Sequence, residues 1–364
     1  RISLLLRFLF AGESHGKSLV GIIEGMPAGL TVNAEYINAQ LRRRQKGYGR
    51  GQRMAIEKDT IEILSGVRNE KTLGSPISFL IKNRDYEKWQ DIMNPGKCTQ
   101  INARTVTRPR PGHADLAGSI KYRQSDMRNI LERASARETA VRVAAGAFCK
   151  LLLGSFGISI YSQLVSAGDK SVTTANFTAK DYKEFMGVID ASDLHCFAEQ
   201  DEAEIIALID RIKNDGESLG GSFEVGAIGV PPGLGSHVSW DRKLDGKIAG
   251  LFMSIPAIKA VEIGEGIRGS AIPGSQVHDQ LYFNVQKGVY RTTNIAGGIE
   301  GGISNGELIS VRAYMKPIPT LNRPLRSVDT QLWREESAQI ERADVFAVPA
   351  AAVIGEAMLA LGIS

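Results

Sequence analysis

Strand-like and helix-like runs are interleaved along all 364 residues in no regular order, and no low-complexity linker separates them. That mixing is the strongest constraint on the fold. Regular strand–helix alternation would call for a doubly wound parallel sheet, whereas irregular mixing calls for an α+β arrangement. Alternating or β-rich runs fall at 56–64, 77–81, 158–165, 222–230 and 307–315. Helical periodicity is clearest at 202–214, where Ile205, Ile206, Ile209 and Ile212 form one apolar face and Gly216 closes the run. Further helices are expected at 135–153 and at 349–361, where Pro349 suits a first helical turn. No Gly-x-Gly-x-x-Gly follows a strand and no Walker A motif is present, which argues against a Rossmann or P-loop nucleotide site. With no boundary and no fixed-period repeat, residues 1–364 read as one domain.

The formal net charge of +4 is too small to argue for nucleic acid as a partner. The distribution of charge says more. Basic residues gather at Arg42, Arg43, Arg44, Lys46, Arg50 and Arg53, then at Arg104, Arg108 and Arg110, then at Arg133, Arg137 and Arg142. Cys98, Cys149 and Cys196 show neither disulfide nor zinc-ligand spacing, so no metal is expected and a reducing cytoplasm fits. The apolar opening 1–10 is broken by Arg7 and is too short for a membrane span. It reads as a buried first strand, and the missing initiator Met leads one to expect a longer chain.

Two of the five histidines sit in Gly/Arg/Pro-rich settings that suit a loop over an anion: Gly12-Glu13-Ser14-His15-Gly16 and Arg110-Pro111-Gly112-His113-Ala114-Asp115. Histidine moves protons near neutral pH, and arginine grips phosphate or carboxylate. Together they point to acid/base chemistry on a small polyanion. His195, His237 and His278 lack such settings. In Arg133-Ala134-Ser135-Ala136-Arg137-Glu138-Thr139, Ser135 and Glu138 have capping-box spacing, which predicts a helix start at Ser135 and a candidate anion site there, with an ordinary capped helix as the plainer alternative. The run Gly297-Gly298-Ile299-Glu300-Gly301-Gly302-Ile303-Ser304-Asn305-Gly306 reads as a set of turns or as a loop hugging a ligand. Lys316-Pro317-Ile318-Pro319-Thr320 ends a strand where Lys316 and Thr320 could face an anion. Segment 84–102 is polar, holds Gly and Pro, and reads as a long surface loop or flap.

Taken in order, these motifs, with Arg43-Arg44-Gln45-Lys46-Gly47-Tyr48-Gly49-Arg50-Gly51 and Arg342-Ala343-Asp344, resemble those of the chorismate synthase family in its bacterial form. The resemblance runs from Phe10 to the C-terminus. It implies a single-domain α+β sandwich with helices between antiparallel sheets, assembled as a cytoplasmic homotetramer. It also implies a shikimate-pathway lyase that converts 5-enolpyruvylshikimate 3-phosphate to chorismate and phosphate by 1,4-anti elimination. Reduced FMN is the implied cofactor, and NADPH a reductant the family allows. The implied catalytic set is His15 near the leaving phosphate, His113 near the flavin, Asp344 as a base acting through the flavin, and Ser14 and Ser135 as hydrogen-bond donors. The implied flavin contacts are Arg133, Ala134, Ser135, Pro256, Ala257, Gly301, Lys316, Pro317, Ile318, Pro319, Thr320 and Arg342. Substrate or NADPH would meet Arg44, Arg50, Arg110 and Arg137. Ala343 replaces the Ser or His usual between Arg and Asp, which removes a supporting hydrogen bond to Asp344, and Phe10 stands where a small polar residue is common.

Two other readings compete. A flavin oxidoreductase using reduced nicotinamide would oxidise NADPH and release no phosphate. A polyanion or nucleic-acid binder would use the run Arg42 to Arg53, but Tyr48 is the one aromatic there and no stacking platform forms.

Overall fold

The computed structural model describes residues 6–51 and 56–364. Residues 1–5 of the expected first strand, and Arg53 of the first basic cluster, lie outside the described residues.

Period-two burial builds two antiparallel sheets. The first holds β1 (Arg7–Ala11), β2 (Ser18–Glu24), β3 (Ile61–Ile63) and β4 (Ile77–Lys82), in the order β1-β2-β4-β3. In β4, Ile77, Phe79 and Ile81 point inward while their neighbours are half-buried, as expected of a sheet with one face on the core. β1 departs from expectation. It is an edge strand with Leu9 69% exposed, because it pairs on one side alone. The second sheet holds β5 (Ser159–Ala167), β6 (Lys170–Ser171), β7 (Gly221–Ile228), β8 (Ile258–Ile263) and β9 (Ile309–Met315), in the order β8-β9-β7-β5-β6. Register sets Val225 opposite Val311 and Phe223 opposite Ala313, a fully buried stripe across β7 and β9.

The longer helices are α1 (Ala34–Gln45), α2 (Asp115–Tyr122), α3 (Arg128–Ala134), α4 (Thr139–Gly154), α5 (Tyr182–Ala191), α6 (Glu199–Asn214), α7 (Leu244–Met253) and α8 (Val348–Ile363). α4 and α8 are apolar almost all round, the mark of a helix with protein on every side. α4 packs on β2 and β4, α8 packs on β5 and β7, and the two helices pack on each other between the sheets. Their approach requires glycine: a Cβ on Gly146 would lie 2.3 Å from Ala357 Cβ. The chain is thus an α+β sandwich with helices between antiparallel sheets. No helix among the described residues is long and apolar enough to cross a membrane.

α1 shows how the fold pulls arginine inward. Asn33 caps it, accepting from the N–H groups of Glu35 (2.9 Å) and Tyr36 (3.2 Å). Its buried positions, Ile37, Gln40, Leu41 and Arg44, follow helical spacing, so Arg44 occupies a core-facing place.

Candidate active site

The turn joining β1 to β2 carries His15, and a short edge-to-core hairpin holds it in place. Its backbone N–H donates to Glu132 Oε2 at 2.8 Å, and its Nδ1 lies 2.9 and 3.0 Å from the two oxygens of that carboxylate. The Ser14 N–H donates to the Glu132 carbonyl (2.9 Å), which ties the turn to α3. Trp89 stacks on the imidazole with ring centroids 3.9 Å apart. Nε2 faces Asp85, 3.8 Å away, and Asp85 pairs with Arg342 at 2.7 Å. Burial pushes the Glu132 carboxyl up, but hydrogen bonds from His15 and the charge of Arg128 outweigh it, and the group ends below its ordinary value.

Segment 84–102 therefore differs from the expected flap. It folds into short helical turns at Arg84–Lys88, Gln90–Met93 and Ile101–Arg104, and buries Trp89 against His15. An aromatic that can cover a ring and hold two cations, Arg104 and Arg128, over its faces has reason to leave solvent.

A second cluster abuts the same turn. Asn83 donates to the carbonyls of Glu13 (3.1 Å) and Gly16 (2.7 Å) and accepts from Arg137 Nε (2.9 Å). Arg137 and Arg44 share the buried Asp59, with Nη1 of Arg137 and Nη2 of Arg44 each 2.8 Å from Oδ2. Burial raises the Asp59 carboxyl, yet the two guanidiniums hold it net below the ordinary carboxylate range. Arg44 Nε and Arg137 Nη2 are buried without a hydrogen-bond acceptor among the described residues. Asp344 accepts from the Gly51 N–H (2.6 Å) and lies 3.5 Å from Arg50 Nη1. Support for this carboxylate thus comes from the 47–51 turn, where Ala343 has no side-chain group to give.

A third cluster surrounds His113. Its Nδ1 lies 2.6 Å from Asp115 Oδ1, and Arg110 donates to Asp115 Oδ2 through Nε (2.8 Å) and to Thr320 through Nη1 (2.8 Å). Burial raises the Asp115 carboxyl, but hydrogen bonds from His113 and Arg110 prevail and hold it well below the usual range. Lys316 Nζ donates to the Gly112 carbonyl (2.6 Å), and the Lys316 N–H donates to the Ala257 carbonyl (3.0 Å). Arg110, Gly112, His113, Ala257, Lys316 and Thr320 thus form one neighbourhood, with Pro256, Pro317, Ile318 and Pro319 on the same two segments.

The capping box takes another form. Ser135 accepts from the Arg137 N–H (3.3 Å) at the head of a short 3₁₀ turn, Ala136–Glu138, and α4 begins only at Thr139. Glu138 turns forward to Arg142 Nε (2.9 Å) because that guanidinium is buried beside it. Arg137 is not a solvated flank of a helix start but a buried partner of Asp59. Arg133 lies over the Phe10 ring, 4.8 Å from its centroid, with Ala134 next to it at the end of α3. Phe10 therefore serves as a platform for cations. The glycine run forms a hairpin, Ile299–Glu300 with Ile303–Ser304, turned by Gly301 and Gly302 at φ +61° and +89°. Most of its glycines meet this chain's own backbone or side chains, and Gly301 faces open space.

Six residues of these clusters stand outside the motifs and basic clusters read from the sequence: Glu132, Arg128, Asp85, Trp89, Asp59 and Asn83. Glu132 directly precedes Arg133, the first residue of a recognised motif, and that adjacency was the one available signal.

The chain matches the family model for chorismate synthase over residues 6–364. The chain belongs to the chorismate synthase family. It is 59% identical over 361 residues to the chorismate synthase of Syntrophomonas wolfei subsp. wolfei, covering 99% of this chain and 91% of that protein. It is 57% identical over 362 residues to the chorismate synthase of Aquifex aeolicus, covering 98% and 91%. A crystal structure of a chorismate synthase matches with a TM-score of 0.78 at 46% identity, covering 98% of this chain and 90% of that one. The chain is accordingly an enzyme, a lyase of that family.

Proposed function

We propose that the chain converts 5-enolpyruvylshikimate 3-phosphate to chorismate and phosphate by 1,4-anti elimination in the presence of reduced FMN. The observation that carries this reading is the histidine His15, held at Nδ1 by Glu132, near two buried guanidiniums, Arg44 and Arg137, each with an N–H that meets no hydrogen-bond acceptor among the described residues. A phosphate ester is the ligand those donors fit, since it accepts several charge-assisted hydrogen bonds at once.

In this reading Arg44, Arg137 and Arg50 draw the substrate's phosphate towards His15. His15 gives a proton at Nε2 to the departing phosphate oxygen, and the fixed cations stabilise the charge that develops there. Arg110 holds a substrate carboxylate. Ser14 and Ser135 donate hydrogen bonds beside the ligands. Asp344, part-exposed beside Arg50, takes up the ring proton at a carboxylate oxygen.

The residues around His113 fit a flavin phosphate and an anionic ring. Lys316, Arg133 and Arg342 are cations with partly exposed side chains, and Ala257 (φ +68°) turns the backbone where β8 begins. The chemistry expected of bound reduced FMN is transient electron donation to the substrate. His113, braced by Asp115, would hold a hydrogen bond to it. Pro256, Gly301, Pro317, Ile318, Pro319 and Thr320 are proposed contacts. NADPH is the proposed reductant of that FMN, on family resemblance alone.

Residues 1–364 are proposed to act as one domain, in a cytoplasmic homotetramer. The exposed hairpin of Leu281–Asn284 and Gly288–Arg291 favours assembly, with Leu281, Phe283, Val285 and Val289 open to solvent. Light scattering after gel filtration checks the tetramer. The reaction is tested by anaerobic phosphate release from 5-enolpyruvylshikimate 3-phosphate, with FMN kept reduced by dithionite and oxidised FMN as control. Release with chorismate formation only under reduced flavin supports the proposal. Binding of FMN without release overturns it in favour of the oxidoreductase reading.

A further inference from the structure

Each of the two motif histidines has its Nδ1 against a buried carboxylate, and each carboxylate is braced by an arginine: Glu132 by Arg128, Asp115 by Arg110. For His15 the constraint is close to complete. Glu132 takes both the backbone N–H and Nδ1 of the same residue, so turn and ring are held by one group. Arg128 Nη1 donates to Glu132 Oε1 (3.1 Å), and Arg128 is itself tied to Glu341 (3.0 Å). Trp89 closes one face of the ring.

We infer that Glu132 is a positioning residue for His15: in the proton-giving ring both nitrogens carry hydrogen, Glu132 holds the one on Nδ1 so that the one on Nε2 is given to the phosphate, and Trp89 fixes the plane of the ring. An ionised carboxylate only accepts hydrogen bonds, so the ring nitrogen against it carries hydrogen. Among the described residues, the groups hydrogen-bonded to the Glu132 carboxylate are donors: the His15 N–H, His15 Nδ1–H and Arg128 Nη1. An amide there accepts at one atom and sets its own donors against the rest. Glu132→Gln therefore removes the charge that supports the doubly protonated ring and favours a neutral one with Nδ1 accepting from the amide, whose remaining proton on Nε2 is far less acidic. Charged groups facing the ring include Glu132 on one side and Asp85 on the other, the latter paired with Arg342.

The inference deepens the proposed role of His15 and rests on it for its kinetic half. The test is nitrogen NMR on the full chain with ring-labelled histidine, His15 assigned by the signal lost in His15→Gln. The expected wild-type signal is a protonated Nδ1. The expected Glu132→Gln result is an Nδ1 resonance moved to the unprotonated range, with kcat down by about 10²- to 10⁴-fold and a much smaller change in KM. Glu132→Asp should recover part of kcat, which a merely structural loss would not allow. A wild-type Nδ1 without hydrogen overturns the inference with no variant needed. So does Glu132→Gln with unchanged resonance and unchanged kcat. Should His15→Ala retain turnover, the proton-donor role falls, and the nitrogen resonance still decides whether Glu132 sets the tautomer.

Discussion

Two charge clusters bury a histidine in this chain, and they are wired differently. Around Glu356, on the fully enclosed α8, the network closes on itself. Arg43 grips both carboxylate oxygens (2.7 and 2.8 Å), Lys150 pairs with Oε2, Ser162 donates to Oε1 (2.5 Å), and His195 Nε2 meets the Ser162 hydroxyl at 2.7 Å. These groups come from α1, α4, β5 and α8, so the cluster pins the central helices to a sheet and to α1. Around His15 one nitrogen is held by Glu132, and the other edge faces the Asp85–Arg342 pair, where Arg342 is 48% exposed. Burial and charge are common to both. What separates them is whether the ring's partners close on one another inside the core or run outward to a half-exposed arginine.

The largest expected effect sharpens that contrast. His15→Ala or His113→Ala should lower turnover by about 10²- to 10⁴-fold, read as phosphate release, with the fold intact by circular dichroism. Unchanged turnover would erase the distinction between the clusters. Glu356→Ala should act the other way. It leaves Arg43 and Lys150 buried without their carboxylate and costs about 3–5 kcal/mol of stability, while turnover per folded molecule stays near wild type. Thermal unfolding and phosphate release on the same samples check both halves.

A smaller effect is carried by pH. Burial, with the charge of Arg43 next, drives His195 down from 6.5 to about 4. Between those values the unfolded chain binds a proton that the folded chain refuses, so stability falls as pH drops from 6.5 towards 4. The loss reaches roughly 3 kcal/mol at the lower end. His195→Asn suits the residue's left-handed backbone (φ +60°) and should flatten the fall of melting temperature between pH 7 and pH 5. An equally steep fall in that variant would assign acid sensitivity elsewhere. The smallest effect is a control. Arg326→Ala removes an ion pair whose side chains are 90% and 78% exposed and should leave the melting temperature unchanged within error.

Much of the architecture was legible in the residues. The runs at 77–81, 158–165, 222–230 and 307–315 match β4, β5, β7 and β9 to within a few residues; the expected helices at 202–214 and 349–361 fall within α6 and α8, and the one at 135–153 overlaps α4 but starts four residues early. The run at 56–64 shrinks to Ile61–Ile63, since the Ile61 N–H already meets the Asn38 side chain and β3 pairs only with β4. Burial of Trp89 was not legible, because one aromatic in a polar stretch has no periodicity to betray its face. The role of Ser135 as cap was legible. The forward turn of Glu138 was not, because it depends on where Arg142 is buried.

By itself the sequence determined which stretches become strands or helices, which of their faces turn inward, and which glycine- and arginine-rich turns carry the family's motifs. Periodicity within an element is enough for that, since it reports burial one element at a time. Tertiary structure alone decided the partnerships: His15 with Glu132, 117 positions away, and Arg342 with Asp85, 257 positions away. Those depend on which inward faces meet once α4 and α8 are pressed between the sheets. A hydrogen bond across that packing fixes a distance that no spacing along the chain contains.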